Sequence, residues 1–287
     1  MHCKKFKFQI CSVLIILIAS SCTEKVEEIG GCQFDIALDN YELVWNDEFE
    51  GNAIDSTKWS YDLGDGCQIS ENLCGWGNNE LQYYTKRDEN AFVEDGNLVI
   101  QAIEEDPKYL GVFDYTSARI VTKNKGDWKY GRIDVRAKMP IGKGLWSAIW
   151  MLPTDTAYGG WPASGEIDIM EYLGDNSRRT LGTIHYGHDF WRFDTEYFDK
   201  AGSEPSFHDE FHVFSVLWNE QCIQFMVDGE LFGEPNTRST VLPTTYPFDQ
   251  KFHLLLNLAV GGNLPGNPDG SAVFPQKMEV DYVRVYQ

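Results

Sequence analysis

Short segments rich in β-branched and aromatic residues recur along the chain and are separated by Gly, Pro, Asn and Asp. This pattern is typical of antiparallel strands joined by turns. Between two apolar runs, Asp228-Gly229 has the residue types that a two-residue type I′ hairpin turn prefers. The sequence therefore predicts strands at NLVIQAI, SARIVTK, YGRIDVRAKM, GLWSAIWML, GEIDIMEY, TLGTIHYG, FHVFSVLW, CIQFMVDGELF, FHLLLNLAV and MEVDYVRVYQ.

Signs of helical structure are few. No segment longer than about ten residues has convincing 3.6-residue periodicity, and no repeat of propeller spacing occurs. With 287 residues and 43% hydrophobic content, the chain can bury one sizeable core. We therefore predict an all-β fold, a β-jelly-roll sandwich of two curved antiparallel sheets with an open cleft. Residues 39–287 are expected to form this domain, and residues 22–38 to be a tether ahead of it.

The first 21 residues combine a basic start with an apolar run. Lys4, Lys5 and Lys7 precede ICSVLIILIA, which has about half the residues that a membrane-spanning helix needs, and SSC then ends at Cys22. This resembles a bacterial lipoprotein signal, in which the cysteine carries the lipid; a plain secretory signal cleaved nearby is the alternative. The following TEKVEE resembles the surface-export signal of Bacteroidetes lipoproteins. We expect residues 1–21 to be a signal peptide and the protein to be lipid-anchored in the outer membrane, exposed at the cell surface.

The chain without this signal is strongly acidic. Three of the 24 basic residues lie in the signal, so 21 basic and 44 acidic residues remain, a net charge of −23. Such a surface repels nucleic acid and other anionic polymers at low salt. The aromatic share of 14% is common where sugar rings are stacked, although most aromatic residues of a β protein fill its core. A neutral partner is favoured, with no nucleic acid, and with a membrane only through the lipid anchor.

Four cysteines follow the lipid candidate, in a compartment that is expected to be oxidising: Cys32, Cys67, Cys74 and Cys222. They could form two disulfides. Cys67 and Cys74 bracket the short loop CQISENLC and are the preferred pair, whereas Cys32 and Cys222 could remain free. A zinc site is disfavoured because the chain has neither C-x-x-C nor nearby paired histidines.

The stretch GEIDIMEYLG holds three acidic side chains within six positions. On a regular strand, Glu166 and Asp168 share a face, while Glu171 lies an odd number of steps further on and would point into the core. A β-bulge at Met170 would reset the parity and return Glu171 to the face of the other two. Because bulges re-aim side chains at active sites, we predict a bulge here.

Three carboxyl groups on one face can divide the work of glycoside hydrolysis. Two Glu carboxyl groups about 5–5.5 Å apart suit a retaining mechanism, in which one attacks and the other donates a proton. Asp168 can orient the nucleophile, and crowding by two anions raises the pKa of the acid. A solvated acidic strand or a metal site are the alternatives that the spacing alone leaves open.

The signature and its surroundings resemble glycoside hydrolase family 16. GEIDIMEYLG matches the bulged form E-x-D-x-x-E, and the similarity extends over about residues 40–287 through WNDEF, GWGNNELQYYT, SARI, GLWSAIWMLP, HYG, PFDQKFHLLLNLAVGGN and MEVDYVRVY. These blocks are most similar to the laminarinase branch, endo-acting β-1,3-glucanases. The resemblance implies a β-jelly roll, with Glu166 as nucleophile, Asp168 as its helper and Glu171 as general acid/base.

The same resemblance suggests polar residues that bind sugar. Arg119 in SARI and Asn79 in GNNE match groups that bind hydroxyls on the glycone side, although either could brace a loop. His185 in HYG matches a residue near the leaving-group sugar.

Tryptophans are the other substrate-binding candidates. Trp161, in GWPASGE, matches an aromatic residue that stacks on sugar beside the scissile bond, with a core position as the alternative. Trp146 and Trp150 share strand parity, so both should line the cleft or both should be buried. We predict a cleft position for Trp146.

Many members of the family bind a structural calcium ion on the convex side. Glu48, a backbone carbonyl at Gly96, and Asp281 occupy the corresponding positions, and hard oxygen ligands suit calcium. The resemblance thus implies structural calcium and no catalytic cofactor.

We expect a surface-anchored, monomeric endo-β-1,3-glucanase acting on a neutral β-glucan. A mixed-linkage β-1,3-1,4-glucanase is the alternative within the enzyme class, since the negative surface would repel the sulfated polymers of related galactan hydrolases. A non-catalytic β-glucan-binding module is the alternative from another class, although such a module has no need for three closely spaced carboxyl groups.

Overall fold

The computed structural model describes residues 26–29, 32–188, 190–242 and 244–287, which form a two-sheet β-sandwich. Within these residues the only helices are two 3-10 segments, Leu38–Asn40 and Glu71–Gly77. The strands are β1 Val26–Ile29, β2 Cys32–Asp35, β3 Leu43–Asp47, β4 Ser60–Asp62, β5 Gln82–Tyr84, β6 Ala91–Glu94, β7 Asn97–Tyr109, β8 Phe113–Ser117, β9 Arg119–Val121, β10 Asp127–Trp128, β11 Gly131–Lys138, β12 Leu145–Pro153, β13 Glu166–Leu173, β14 Arg179–Tyr186, β15 Arg192–Asp199, β16 His212–Trp218, β17 Cys222–Val227, β18 Glu230–Thr237, β19 Phe252–Val260 and β20 Gln276–Tyr286.

One sheet, the site sheet, has the strand order β15-β14-β13-β12-β19-β9-β4, with β10 also pairing β19. The other, the back sheet, has the order β18-β17-β16-β11-β20-β7-β8-β5, with β3 pairing β20 and β6 pairing β7. All strand pairs except β5–β8 are antiparallel. The predicted all-β fold of two antiparallel sheets is confirmed.

The core lies between the two sheets and explains the apolar runs. Ile167 and Ile169 of β13 are buried, as their alternation with acidic residues predicts. Every residue of β19 is buried, because this strand lies in the middle of the site sheet. Its apolar stretch is therefore continuous, without the alternation of a half-exposed strand.

The predicted strands are present, with ends shifted by a few residues. Asp228 and Gly229 join β17 to β18 with φ values of 51° and 85°, as a type I′ turn requires. Asp95 and Gly96 form a second turn of this kind between β6 and β7, with φ values of 52° and 77°. Strand β15, which has no clear apolar alternation, was not predicted.

The predicted tether is folded where the structure describes it. β1 and β2 pair as a hairpin, and Cys32 forms a disulfide with Cys222 at the start of β17. Cys32 and Phe34 are buried against Leu217 and Cys222. Cys32 and Cys222, which the sequence left open as free or paired, are thus paired, because the hairpin brings together two cysteines that are 190 residues apart in sequence.

The other disulfide joins Cys67 to Cys74, as predicted. The signal peptide at residues 1–21 and the lipidation candidate Cys22 lie outside the described residues and remain predictions. In the described part of the chain, no helix has the length and apolar character needed to cross a membrane.

Candidate active site

A β-bulge brings the three acidic residues of β13 to one face. Asp168 lies opposite Thr183 of β14 and Glu171 lies opposite Leu181, so three steps along β13 match two steps along β14. The register against β12 shifts at the same place. The extra residue resets the parity of the strand. The predicted bulge is confirmed, with Ile169 and Met170 together opposite Gly182, and it explains why Glu171 does not point into the core.

Residues of β14 contact all three acids from one side. His185 pairs across the strands with Glu166, and its Nε2 lies 3.1 Å from Asp168 Oδ2 and 3.8 Å from Glu166 Oε1. The hydroxyl of Thr183 donates to Glu171 Oε2 at 3.1 Å. The acids therefore form one cluster, with the middle carboxyl group the most enclosed, at 4% exposure for Asp168.

Two indole groups fix the hydrogen-bonding roles within this cluster. Trp161 Nε1 donates to Glu166 Oε2 at 2.7 Å, and Trp191 Nε1 donates to His185 Nδ1 at 3.0 Å. An indole nitrogen only donates, so His185 Nδ1 must be an acceptor and its Nε2 carries the hydrogen. Asp168 Oδ2 lies 3.1 Å from that nitrogen but accepts no hydrogen bond of good geometry. The sequence predicted Trp161 and His185 at this site. It did not predict Trp191, which lies outside the sequence blocks that resemble the family.

Burial and crowding raise the pKa of each carboxyl group in the cluster. Burial is the larger cause for Glu166, followed by the charge of Asp168. Burial also raises the pKa of Asp168, with the charge of Glu171 next, and it raises the pKa of Glu171. The Trp161 hydrogen bond acts in the opposite direction and favours ionised Glu166. Burial and crowding thus favour protonation of the cluster, whereas the hydrogen bonds from Trp161 and Thr183 favour its charged forms.

Replacing Glu171 by Gln should raise the melting temperature at pH 7 by a few degrees. Because the folded pKa exceeds the ordinary value of 4.5, the stability linked to this group is present below that pH and is lost as the pH rises through the folded pKa. The advantage of Glu171→Gln should therefore shrink as the pH falls to about 4.5. Scanning calorimetry from pH 4.5 to 7 measures this, with exposed Glu50→Gln as control. A stability difference that does not depend on pH would contradict it.

Glu166, Asp168 and His185 also have the composition of a cation site, because one potential ligand atom from each lies within 4.8 Å of the others. The histidine is poorly suited to this role. Its Nδ1 lone pair accepts from Trp191, and its Nε2 carries a hydrogen. The hydrogen bonds therefore favour a proton-transfer cluster over a metal centre.

Trp146 and Trp150 both lie half-buried on the same face of β12, as their shared parity predicts, and the binding of sugar by Trp146 stays a prediction. Trp150 is the cross-strand neighbour of Asp168, and its Nε1 donates to Asn257 Oδ1 at 2.7 Å. Trp146 lies close enough to Glu171 to lower the pKa of its carboxyl group, against the larger effect of burial. Its buried indole nitrogen has no partner of hydrogen-bond geometry.

Asn79 and Arg119 lie on the other side of β13 from His185, by the strand order of the site sheet. Asn79 is exposed, and its side chain donates to Asn263, which follows β19. Arg119 is buried, bonds Asp62 at 3.0 Å, and stacks its guanidinium 3.6 Å from the centre of the Trp76 ring. Arg119 thus braces a loop, which was the alternative to sugar binding in the sequence analysis. Its binding of sugar hydroxyls stays a prediction.

The indole of Trp150 is held in place by a buried chain of hydrogen bonds that the sequence did not predict. The Tyr84 hydroxyl lies 3.3 Å from Glu80 Oε2, and Asn257 Nδ2 donates to that hydroxyl at 3.1 Å. Burial raises the pKa of the Glu80 carboxyl group. The available signal was Asn257 itself, a polar residue within the apolar run LLLNLAV. Such satisfied buried networks hold side chains rigidly.

The predicted calcium residues lie around one gap in the back sheet. β3 ends just before Glu48 and β7 begins just after Gly96, and both pair with β20 on either side of Asp281. Two carboxylates and a carbonyl are hard oxygen donors, which suits calcium. Glu48 bonds Arg284 through two contacts of 2.8 and 2.9 Å, and Asp281 bonds Arg136. A calcium ion bound there would have to displace these arginine contacts, and the site stays a prediction.

Comparison with known proteins matches the same region. Residues 78–284 match the family described as Glycosyl hydrolases family 16. A β-glucanase of Rhodothermus marinus is 42% identical, with the alignment covering 100% of this chain and 97% of that protein. A glucan endo-1,3-β-glucosidase A1 of Niallia circulans is also 42% identical over 90% of this chain, which spans only 39% of that longer protein.

The fold agrees with a solved structure from this group. The laminarinase catalytic domain of Thermotoga maritima is 43% identical and superposes with a TM-score of 0.78, covering 86% of this chain and 98% of that domain. The family match includes the bulged strand and its three acids. The chain therefore belongs to glycosyl hydrolases family 16.

Proposed function

We propose that the protein is an endo-acting, retaining glycoside hydrolase that cleaves β-1,3 bonds of a neutral glucan such as laminarin. The observation that carries the proposal is the bulged strand, which places Glu166, Asp168 and Glu171 on one face against His185 and Thr183. The names of the relatives, a glucan endo-1,3-β-glucosidase and a laminarinase, support the substrate class.

In this mechanism Glu166 attacks the anomeric carbon while Glu171 protonates the departing oxygen. Burial raises the pKa of both Glu residues, and the Trp161 hydrogen bond acts on Glu166 to favour its charged form as nucleophile. The bond from sugar to leaving group breaks as the bond from sugar to Glu166 forms. Glu171, now ionised, then takes a proton from water, which attacks the glycosyl-enzyme and releases Glu166.

Asp168 is proposed to position the nucleophile. It lies between the two Glu residues along the strand, its charge acts on the pKa of Glu166, and its Oδ2 lies 3.1 Å from His185 Nε2. These contacts restrict the rotation of both carboxyl groups. Asp168 therefore acts on the reaction through Glu166.

The product pattern tests this function against its alternatives. Laminarin should yield a ladder of oligosaccharides early in the reaction, which shows internal cleavage, whereas Glu166→Gln should yield none. Cleavage of lichenan at a higher kcat/KM than laminarin would assign a mixed-linkage enzyme. Binding of laminarin without any release of reducing sugar would assign a binding module. Cleavage of an agar polymer alone would place the chain in the galactan-acting branch.

We infer a structural calcium ion bound by Glu48, the Gly96 carbonyl and Asp281. If it is present, a chelator should lower the melting temperature by several degrees while activity at lower temperature changes little, because the gap lies in the back sheet. Asp281→Asn should reduce the chelator effect, and Glu279→Gln, two residues away on the same strand, should keep it. An equal melting temperature before and after verified calcium removal would contradict the site.

We also propose that Cys22 is lipidated and anchors the protein in the outer membrane with the domain facing outward. The support is the basic start, the short apolar run and the small residues before Cys22. Cys22→Ala should move more than about 90% of the protein from the membrane fraction to the soluble fraction, since the lipid anchor is lost. Activity on soluble laminarin should persist, and continued membrane association of the variant would contradict the anchor.

A further inference from the structure

The exposed aromatic side chains of the described residues are gathered at one place. Five aromatic side chains are between 53 and 75% exposed: Trp161, Phe190, Trp191, Phe193 and Tyr197. The remaining described Phe, Tyr and Trp side chains are buried or half-buried. Single exposed apolar residues are ordinary, but a contiguous group marks a binding surface. This group lies beside the acid cluster.

Strand β15 carries two of these residues on its site face. Phe193 pairs with His185, and Tyr197 pairs with Leu181, so both lie on the face where β14 contacts the acids. Thr195 lies between them, and its hydroxyl is 3.1 Å from that of Thr183. The opposite face of β15 packs inward, where the ring of Phe198 contacts that of Phe232. Phe193 and Tyr197 therefore lie on the site face of β15, and Phe198 lies on the core face.

Ring contacts lead from His185 to Phe193, and Tyr197 lies further along the same face of β15. Trp191 stacks on His185 with ring centres 5.8 Å apart, and Phe193 follows at 5.2 Å from Trp191. We call Trp191, Phe193 and Tyr197 the edge stripe, because β15 is the last strand of the site sheet. Two strand spacings separate β15 from the acids on β13, roughly 10 Å. The stripe thus extends the site in the direction away from Arg119.

The chemistry of a β-linked glucose unit matches such a stripe. Its ring substituents are equatorial, so each ring face presents C–H groups that pack on an aromatic ring while the hydroxyls stay hydrated at the rim. Glu171 is hydrogen-bonded to Thr183 of β14, so the acid that protonates the departing oxygen leans toward the stripe. Sugars beyond that oxygen therefore pass over β14 and β15.

We propose that the edge stripe binds glucosyl units on the leaving-group side of the scissile bond in a neutral β-glucan. The proposal rests on the function proposed above. Contact between the edge stripe and the glucan chain explains why bulky aromatic rings are exposed on an edge strand of an acidic protein. It also makes the enzyme prefer long substrates over short ones.

Comparison of two substrates tests the stripe. Laminarihexaose can span the acids and the stripe, whereas an aryl β-laminaribioside has only an aryl group on the leaving side. Tyr197→Ala and Phe193→Ala together should lower the ratio of kcat/KM for the hexaose to that for the aryl glycoside about tenfold. Phe193→Trp should retain the ratio, since it keeps an aromatic face. Leu110→Ala, an exposed apolar position in the turn between β7 and β8, should also retain it.

Hexaose labelled at its reducing end gives a second readout. The double variant should shift cleavage toward the reducing end, because fewer units are held beyond the scissile bond. An unchanged ratio and an unchanged cleavage position would overturn the stripe while leaving the proposed function intact. An unchanged ratio together with a dimer that dissociates in the double variant would overturn it in favour of self-association. Failure of the wild-type protein to cleave either substrate would overturn both proposals.

Discussion

Replacing Glu166 by Ala should lower kcat on laminarin by at least about 10⁴-fold, because the residue that forms the covalent bond to the sugar is removed. The Ala variant leaves space beside the anomeric carbon, where azide can attack from the face that the carboxylate used. With an activated aryl β-glucoside of suitable length, the product should be the α-glycosyl azide. NMR identifies that product through its anomeric proton.

Glu171→Ala should fail in a different way. Without the acid, a glucan leaving group should depart about 10²–10⁴-fold more slowly, whereas an aryl leaving group that needs no proton should still depart. Azide then attacks the glycosyl-enzyme and should give the β-glycosyl azide. The two variants therefore serve as controls for each other. Full laminarin activity in Glu166→Ala, or the same azide anomer from both variants, would contradict the assigned roles.

Replacing Gly182 by Ala should destabilise the fold by about 1–3 kcal/mol and lower activity, since overpacking displaces neighbouring elements. Gly182 lies between Leu181 and Thr183 on β14, opposite the bulge. A Cβ atom there would lie 2.4–2.9 Å from ring atoms of Phe225 in the back sheet. β14 would have to move, and it carries Thr183 and His185 against the acids.

Two variants control this prediction. Gly202→Ala adds the same methyl group where nothing lies within 4 Å, so stability should hardly change. Phe225→Leu combined with Gly182→Ala should recover part of both stability and activity, because the smaller side chain makes room. Denaturant unfolding and kcat on laminarin give the two readouts. Wild-type stability in the single Gly182→Ala variant would show that the core accommodates the methyl group and that the close contact has no effect.

Much of the site sheet could be predicted because its strands carry strong local signals. The apolar run Phe252–Val260 is buried throughout and became β19 without any shift of its ends. The bulge could also be predicted, since an unpaired Glu171 in the core would cost several kcal/mol. In each case the physical reason lies within a few neighbouring residues.

Features that depend on distant parts of the chain could not be predicted. The disulfide between Cys32 and Cys222 forms because the hairpin of β1 and β2 packs on the back sheet, which no local pattern indicates. The hydrogen bonds that hold Trp150 were not predicted because they depend on Asn257 of β19 and, beyond it, on Tyr84. Strand β15 has mixed polarity, since one face meets the core and the other carries exposed rings.

The anomeric form of the first product tests the central claim most directly. If Glu166 forms a glycosyl-enzyme and Glu171 then directs water to it, the configuration of the sugar is inverted twice and the first product has the β configuration. Proton NMR during the first minutes of laminarin hydrolysis, before mutarotation, observes that product. The account predicts an initial β-anomer signal that later declines toward the equilibrium mixture. An initial α-anomer signal would contradict the retaining mechanism and the roles given to the three acids.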